Sequence, residues 1–172
     1  VLICRQDNES IASYKDIQGK RFGAVADTSF GGWRVVQREL CEQGIDPVKD
    51  CSELVFCGTH DRVIYAIANG SVEVGSVRTD TLEHMASEEL IRIEDFRVLP
   101  VYEGSTDDFL FNISTRLYPE WPMAKVTGTS DDLAEHVAAA LLHMSPEDEA
   151  AIAARCHGWS FPGNYQLVHD CL

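Results

Sequence analysis

Three short stretches carry side chains able to hold a small anion. Asp27-Thr28-Ser29-Phe30-Gly31-Gly32-Trp33 follows a β-rich run and opens a helical pattern. Thr28 and Ser29 offer hydroxyl donors, and Gly31 and Gly32 let backbone N–H groups approach a ligand at a helix N-terminus, where the dipole favours negative charge. The same residues suit an N-capping hydroxyl with glycine-dependent turn geometry, and spacing leaves both readings open. Gly58-Thr59-His60-Asp61 is a second such junction. His60 can donate to an anion or titrate near neutrality, or simply help to start a helix with Thr59 and Asp61. The third, Gly75-Ser76-Val77-Arg78-Thr79-Asp80, sets Arg78 and Thr79 just past a strand. A planar guanidinium there can clamp an oxyanion with two hydrogen bonds, although an isolated arginine is by default a solvated one. Each stretch is weak alone; three parallel strands ending in donors on one sheet edge would form a convergent site.

Other chemistries fit less well. The first turn matches neither the dinucleotide fingerprint nor a P-loop, since no Gly-Lys-Ser/Thr follows it, so no nucleotide or other cofactor is expected. Cys51, Cys57 and His60 do not make up the four well-spaced ligands of a structural zinc site, and no metal is expected. Cys57 with His60 could form a thiol nucleophile and its base, but such a pair also needs an orienting group and oxyanion donors. The chain is therefore read as a binding module and not an enzyme. Cys4, Cys41, Cys51, Cys57, Cys156 and Cys171 are even in number, compatible with an oxidising compartment. Cys156 and Cys171 are the preferred disulfide candidates, because they flank a short Trp-Pro-Gly-Tyr segment that a bridge would clip at its base. Tyr102, Tyr118, Trp121, Trp159 and Tyr165 lie beside Pro or Gly, where either core packing or a ligand wall would use them. The sequon Asn112-Ile113-Ser114 falls in a predicted strand and is discounted.

The elements that must position these residues follow from periodicity. Strand-like runs at 1–4, 21–25, 53–57, 71–77 and 96–102 alternate with helical patterns at 31–43, 59–69 and 79–87, which is the signature of βαβ units. Trp33, Val36, Leu40 and Cys41 share one helix face, expected to pack on the sheet. After the polar break Gly104-Ser105-Thr106-Asp107-Asp108 comes one more predicted strand, 109–114, and then mostly helical sequence. Ser130 starts a helix with the apolar stripe Leu133, Val137, Ala140 and Leu141. Ser145-Pro146-Glu147-Asp148 starts another, with Ser145 as N-cap and Asp148 closing a capping box. Residues 1–103 and 104–172 are accordingly expected to be two parts of different origin.

With 172 residues, 45% hydrophobic and 24% charged, the chain can bury a real core. Acidic residues outnumber basic ones 28 to 14, giving a net charge of -14. That field repels phosphate backbones and anionic lipid, so nucleic acid is not an expected partner, and an anionic ligand must rely on local donors. No run of about 18 apolar residues is present, so the piece is expected to be soluble. It begins without Met on the apolar run Val1-Leu2-Ile3-Cys4, as a strand already inside a fold would.

The order of Asp16-Ile17-Gln18-Gly19-Lys20-Arg21, Thr28-Ser29-Phe30-Gly31-Gly32, Gly44-Ile45-Asp46-Pro47, Gly58-Thr59-His60-Asp61 and Gly70-Ser71-Val72-Glu73-Val74-Gly75 resembles the phosphate/phosphite/phosphonate family of periplasmic solute-binding proteins. The later segments Ser114-Thr115-Arg116-Leu117-Tyr118-Pro119-Glu120-Trp121-Pro122 and Trp159-Ser160-Phe161-Pro162-Gly163-Asn164-Tyr165-Gln166-Leu167-Val168-His169 look like sensor domains of membrane histidine kinases of the tetrathionate-sensor type. The resemblance implies an α/β fold of the type 2 periplasmic-binding class, a doubly wound, mostly parallel sheet whose helical C-terminal part returns to an incomplete first lobe. It implies a periplasmic sensor for a small oxyanion, acting as a homodimer and joined to a transmembrane helix and kinase beyond this piece. A solute-binding component of a phosphonate-type transporter is the alternative. By the same analogy Thr28 to Trp33, His60, Arg78 and Thr79 line the cleft, and part of the facing wall belongs to sequence preceding Val1.

Overall fold

The computed structural model describes residues 1–99, 109–119 and 121–172. Val1–Leu117 with Asp170–Leu172 make one compact unit and Tyr118–His169 a second. In the first unit the strands are β1 (Leu2–Arg5), β2 (Arg21–Ala24), β3 (Glu53–Phe56), β4 (Val74–Ser76) and β5 (Phe96–Val98). They form one sheet in the order β3-β2-β4-β1-β5. β2 is parallel to β3 and β4, and β1 is antiparallel to β4 and β5. Four strands therefore point one way and β1 alone runs back between two of them. That reversal is invisible in the apolar run at 1–4, because pairing partners set strand direction.

Period-2 alternation distributes the strand residues to two cores, one per face. Leu2, Cys4, Phe22, Ala24 and Val74 join Trp33, Val36, Leu40 and Ile45 on the face of α1 (Val35–Glu42). Ile3, Val25 and Val77 join Val63, Ile64, Ile67, Leu82 and Met85 on the face of α3 (His60–Ala68) and α4 (Thr81–Ser87). Between them α2 (Pro47–Asp50) is a single turn that the sequence reading did not foresee; Asp46 caps it through Val48 N–H at 3.1 Å, with Pro47 in the first turn. Burying Val63, Ile64 and Ile67 completely contributes roughly 1.5–3 kcal/mol each. Their approach depends on paired glycines: Gly23 faces Gly75 in the ladder, and a Cβ on Gly75 would lie 2.7 Å from Val63 Cγ1.

The expected helices at 31–43, 59–69 and 79–87 form with small changes at their ends. Cys41 is exposed, so the packing face of α1 is Trp33, Val36 and Leu40 without it. Other expectations need correction. The run 71–77 contributes only Val74–Ser76, because Ser71 and Val72 are spent on the turn leaving α3, where Val72 N–H donates to Ala66 O at 3.1 Å. Of the run 96–102, Phe96–Val98 is strand, while 100–102, the break at 104–108 and the boundary at 103 and 104 lie outside the described residues. Residues 109–114 are not a strand. This segment meets β1 through a side chain instead: buried Ser114 Oγ accepts from Leu2 N–H at 2.9 Å and donates to Leu2 O at 3.3 Å.

The second unit holds α5 (Asp131–Leu142), α6 (Glu149–Ala154) and α7 (Gln166–His169). Ser130 caps α5 as expected, accepting from Leu133 N–H at 3.2 Å. Ser145 is not the N-cap of α6; Asp148 occupies that position. Asp148 N–H donates to Ser145 O at 3.1 Å, closing a turn with Pro146 at its second position, where proline's fixed φ suits the turn. Among the described residues no helix is long and apolar enough to cross a membrane.

Candidate functional site

Because β3, β2 and β4 are adjacent and parallel, the three junctions picked out in the sequence leave the sheet at the same edge. Backbone bonds continue past the strands and lock the junctions together. Cys57 N–H donates to Ala24 O at 2.8 Å and Gly58 N–H to Val25 O at 2.7 Å. Ser76 Oγ, fully buried, donates to Gly32 O at 2.5 Å.

The first junction enters its helix through a π-helical turn, Phe30–Arg34, in which Arg34 N–H reaches back to Ser29 O at 3.0 Å. Ser29 is the N-cap, its Oγ accepting from Gly32 N–H at 3.3 Å. Gly32 is demanded by space: a Cβ there would sit 2.4 Å from Val25 Cγ2 and 2.8 Å from Ser29 Oγ. Thr28 is exposed on the turn, and Gly31 is half-buried. Trp33 needs correction. It is 2% exposed and packs edge-on against Phe22 and Phe56, with ring centroids 5.9 and 5.7 Å away, so its ring anchors the turn in the core and faces no cleft.

The second and third junctions meet directly. Arg78 N–H donates to His60 Nδ1 at 3.1 Å, which leaves the neutral imidazole's proton on Nε2. Burial, and then the Arg78 guanidinium, push the His60 pKa down, so the ring is held as a neutral donor rather than a cation. Both residues line a groove of about 420 Å³ with Val25, Gly58, Thr59 and Asp61 from the strand ends. The Arg78 fork lies on Asp80, from Nε at 3.2 Å and Nη2 at 3.1 Å. Thus His60 and Arg78 are brought into one groove, whereas Thr28, Ser29, Gly31, Gly32 and Thr79 share the edge without lining it.

Asp80, Thr81, His84, Met85 and Glu88 complete the lining and were missed. Their signal was present in the sequence: Asp80, His84 and Glu88 recur at intervals of four, as do Thr81 and Met85, which places them on one side of α4. Three carboxylates, Asp61, Asp80 and Glu88, surround the single guanidinium of Arg78 in this groove. An anion entering here therefore depends on directed donors and not on the groove's net field.

Thiol chemistry has no geometric support. His60 Nδ1 is engaged by Arg78, Cys57 Sγ contacts Val55 O at 3.8 Å, and burial pushes the Cys57 thiol up. Burial likewise raises Cys51, to about 11. Of the disulfide candidates, Cys156 belongs to the second unit and Cys171 to the first. Among the described residues no group of three or more His, Cys, Asp or Glu could hold a metal ion.

The profile of the family described as ABC transporter, phosphonate, periplasmic substrate-binding protein matches residues 1–160. The tetrathionate sensor histidine kinase TtrS of Salmonella typhimurium is 31% identical over 173 aligned residues, covering all of this chain and 27% of the relative. PhnD1 from Prochlorococcus marinus, solved with methylphosphonate, superposes with a TM-score of 0.66 at 12% identity over 99% of this chain and 64% of that one. A binding-protein component of an ABC phosphonate transporter from Pseudomonas aeruginosa gives 0.64 at 17% identity, over 98% and 54%. The chain thus spans about a quarter of the curated relative and a little over half of the solved ones. It has the type 2 periplasmic-binding fold and belongs to the family of phosphonate-type periplasmic substrate-binding proteins.

Proposed function

We propose that this chain is the ligand-binding part of an extracytoplasmic sensor that recognises a small oxyanion and passes lobe closure to a histidine kinase. The observation that carries the proposal is the convergence of three strand ends on one edge, with the neutral donor of His60 and the fork of Arg78 in one groove. A closing lobe would bias a two-state equilibrium only through ligand contacts made in the closed state, and these directed donors supply such contacts. The match to TtrS over the whole chain supports the sensor reading and makes tetrathionate the first ligand to test. Sensor kinases act as homodimers by the same analogy.

The family profile itself favours a second reading, a substrate-binding component of a phosphonate-type transporter. Calorimetry of the natural protein that carries this chain, with tetrathionate, methylphosphonate and sulfate, tests the common premise. Saturable heat with at least one is expected, and silence with all three refutes oxyanion binding. Ligand-dependent autophosphorylation in membranes supports the sensor; ligand-dependent uptake without phosphorylation supports the transporter.

A further inference from the structure

The Arg78 fork in the groove already lies on a carboxylate of its own chain. Asp80 meets Nε and Nη2 of Arg78 with bonds of 3.1–3.2 Å, the pattern by which a guanidinium holds an external oxyanion. Two further features set Asp80 apart. Its backbone is left-handed, at φ 75, a conformation that costs energy for any residue with a side chain and is best tolerated by Asn and Asp. It also occupies the N-cap position of α4, where an Asp carboxylate ordinarily accepts from the first-turn N–H groups, yet it makes no such bond. The short turn that bends it away is closed by Thr81 Oγ1, which donates to Arg78 O at 2.8 Å. A strained backbone and a forgone cap both serve one contact, the one with Arg78.

We propose that Asp80 is a resident occupant of the Arg78 fork, and that an incoming oxyanion displaces it. The inference rests on the groove being the ligand site. In the empty site Asp80 neutralises a guanidinium that would otherwise stand beside His60; in the filled site the ligand takes over the fork and the Asp80 carboxylate is released to solvent. The exchange swaps one carboxylate pair for another, so ligand affinity reports the difference between the two. Only oxyanions matching or exceeding a carboxylate in their hold on the fork will bind, which gives the groove a threshold against weak anions such as chloride.

The test is calorimetric titration of the natural protein with tetrathionate and, separately, methylphosphonate, in wild type, Asp80→Asn, Asp80→Gly and Arg78→Gln. Asn and Gly both accept the left-handed backbone, so folding is preserved by at least one route, and thermal midpoints verify it. Removing the competing carboxylate of a partly exposed pair should tighten the bound anion by about five-fold in both Asp80 variants. Arg78→Gln should weaken it, and in the double variant with Asp80→Asn the gain should vanish. If the Asp80 variants bind equally or more weakly while Arg78→Gln also binds more weakly, the groove is the site and displacement is wrong. If Arg78→Gln binds as wild type does, Arg78 is outside the site and both readings fall.

Discussion

Gly32→Ala isolates the spatial demand at the strand-to-helix turn. Gly32 has no left-handed φ, so alanine adds no backbone strain and only the new methyl matters. Two effects oppose each other. Alanine in a helical turn gains roughly 0.5–1 kcal/mol over glycine. Against that, the Cβ would stand 2.4 Å from Val25 Cγ2 and 2.8 Å from Val25 Cβ, and a neighbour's Cβ cannot be rotated out of the way. Overpacking of this kind costs about 1–3 kcal/mol. Pushing Ser29 Oγ from 2.8 Å would also weaken the N-cap, worth about 1 kcal/mol. The clash wins, with a net loss of about 2 kcal/mol, or roughly 4–8 °C in midpoint for a chain of this size. Urea unfolding, followed by fluorescence in a Trp121→Phe/Trp159→Phe background, reads buried Trp33 alone. Ser29→Ala in the same background measures the cap by itself. A Gly32→Ala midpoint equal to or above the parent's, at unchanged m-value, would refute the reasoning.

Three further outcomes are expected. The His60 pKa lies below its unfolded value of 6.5, so the unfolded chain binds more protons as pH falls through that value; the group's contribution is complete above pH 6.5 and is lost toward its folded pKa. His60→Asn should flatten the pH dependence of the unfolding midpoint just below 6.5 relative to wild type, and an identical slope contradicts this. Glu39, with a side chain only 7% exposed, is held by Arg116 Nε at 2.7 Å; Arg116→Met should cost roughly 2–3 kcal/mol, less than a fully buried pair because Arg116 is 29% exposed, and Glu39→Leu in the same chain should restore part of it. A loss below about 0.5 kcal/mol in chemical denaturation would mark the pair as an exposed one. Cys57 should react slowly with iodoacetamide at neutral pH because burial disfavours its thiolate, and labelling as fast as a free thiol would reopen the Cys57–His60 chemistry.

Why the βαβ segments were largely legible, and residues 109–114 were not, follows from which forces act locally. Each βαβ segment satisfies most of its own constraints: Arg21 to Ala24 alternates across the sheet, Trp33, Val36 and Leu40 keep the helical period, and glycines end the elements. Trp33 shows how one residue can be read twice. Its place on the apolar stripe and its place beside Gly31 and Gly32 pointed to different roles, and packing took precedence because Phe22 and Phe56 offer its ring two edge contacts. Residues 109–114 look like a strand by composition, but a strand requires a free ladder, and Leu2 offers this segment only a side-chain bond to Ser114.

The site divides along the same line. The shared direction of β2, β3 and β4 brings the junctions to one edge, and the alternating pattern of strands and helices already implies that direction. The pairing of His60 with Arg78 depends on β3 and β4 flanking β2, a fact of strand order that no local pattern encodes. Asp80 is the harder case. As an acidic residue before a helix it has the signature of an ordinary N-cap, and only its left-handed backbone turns the carboxylate from α4 to Arg78. If Asp80 occupies the fork as proposed, the groove's preference for a ligand is set by a contact two residues long. Substituting Asp80 should change which anions bind without altering the sheet that gathers the donors.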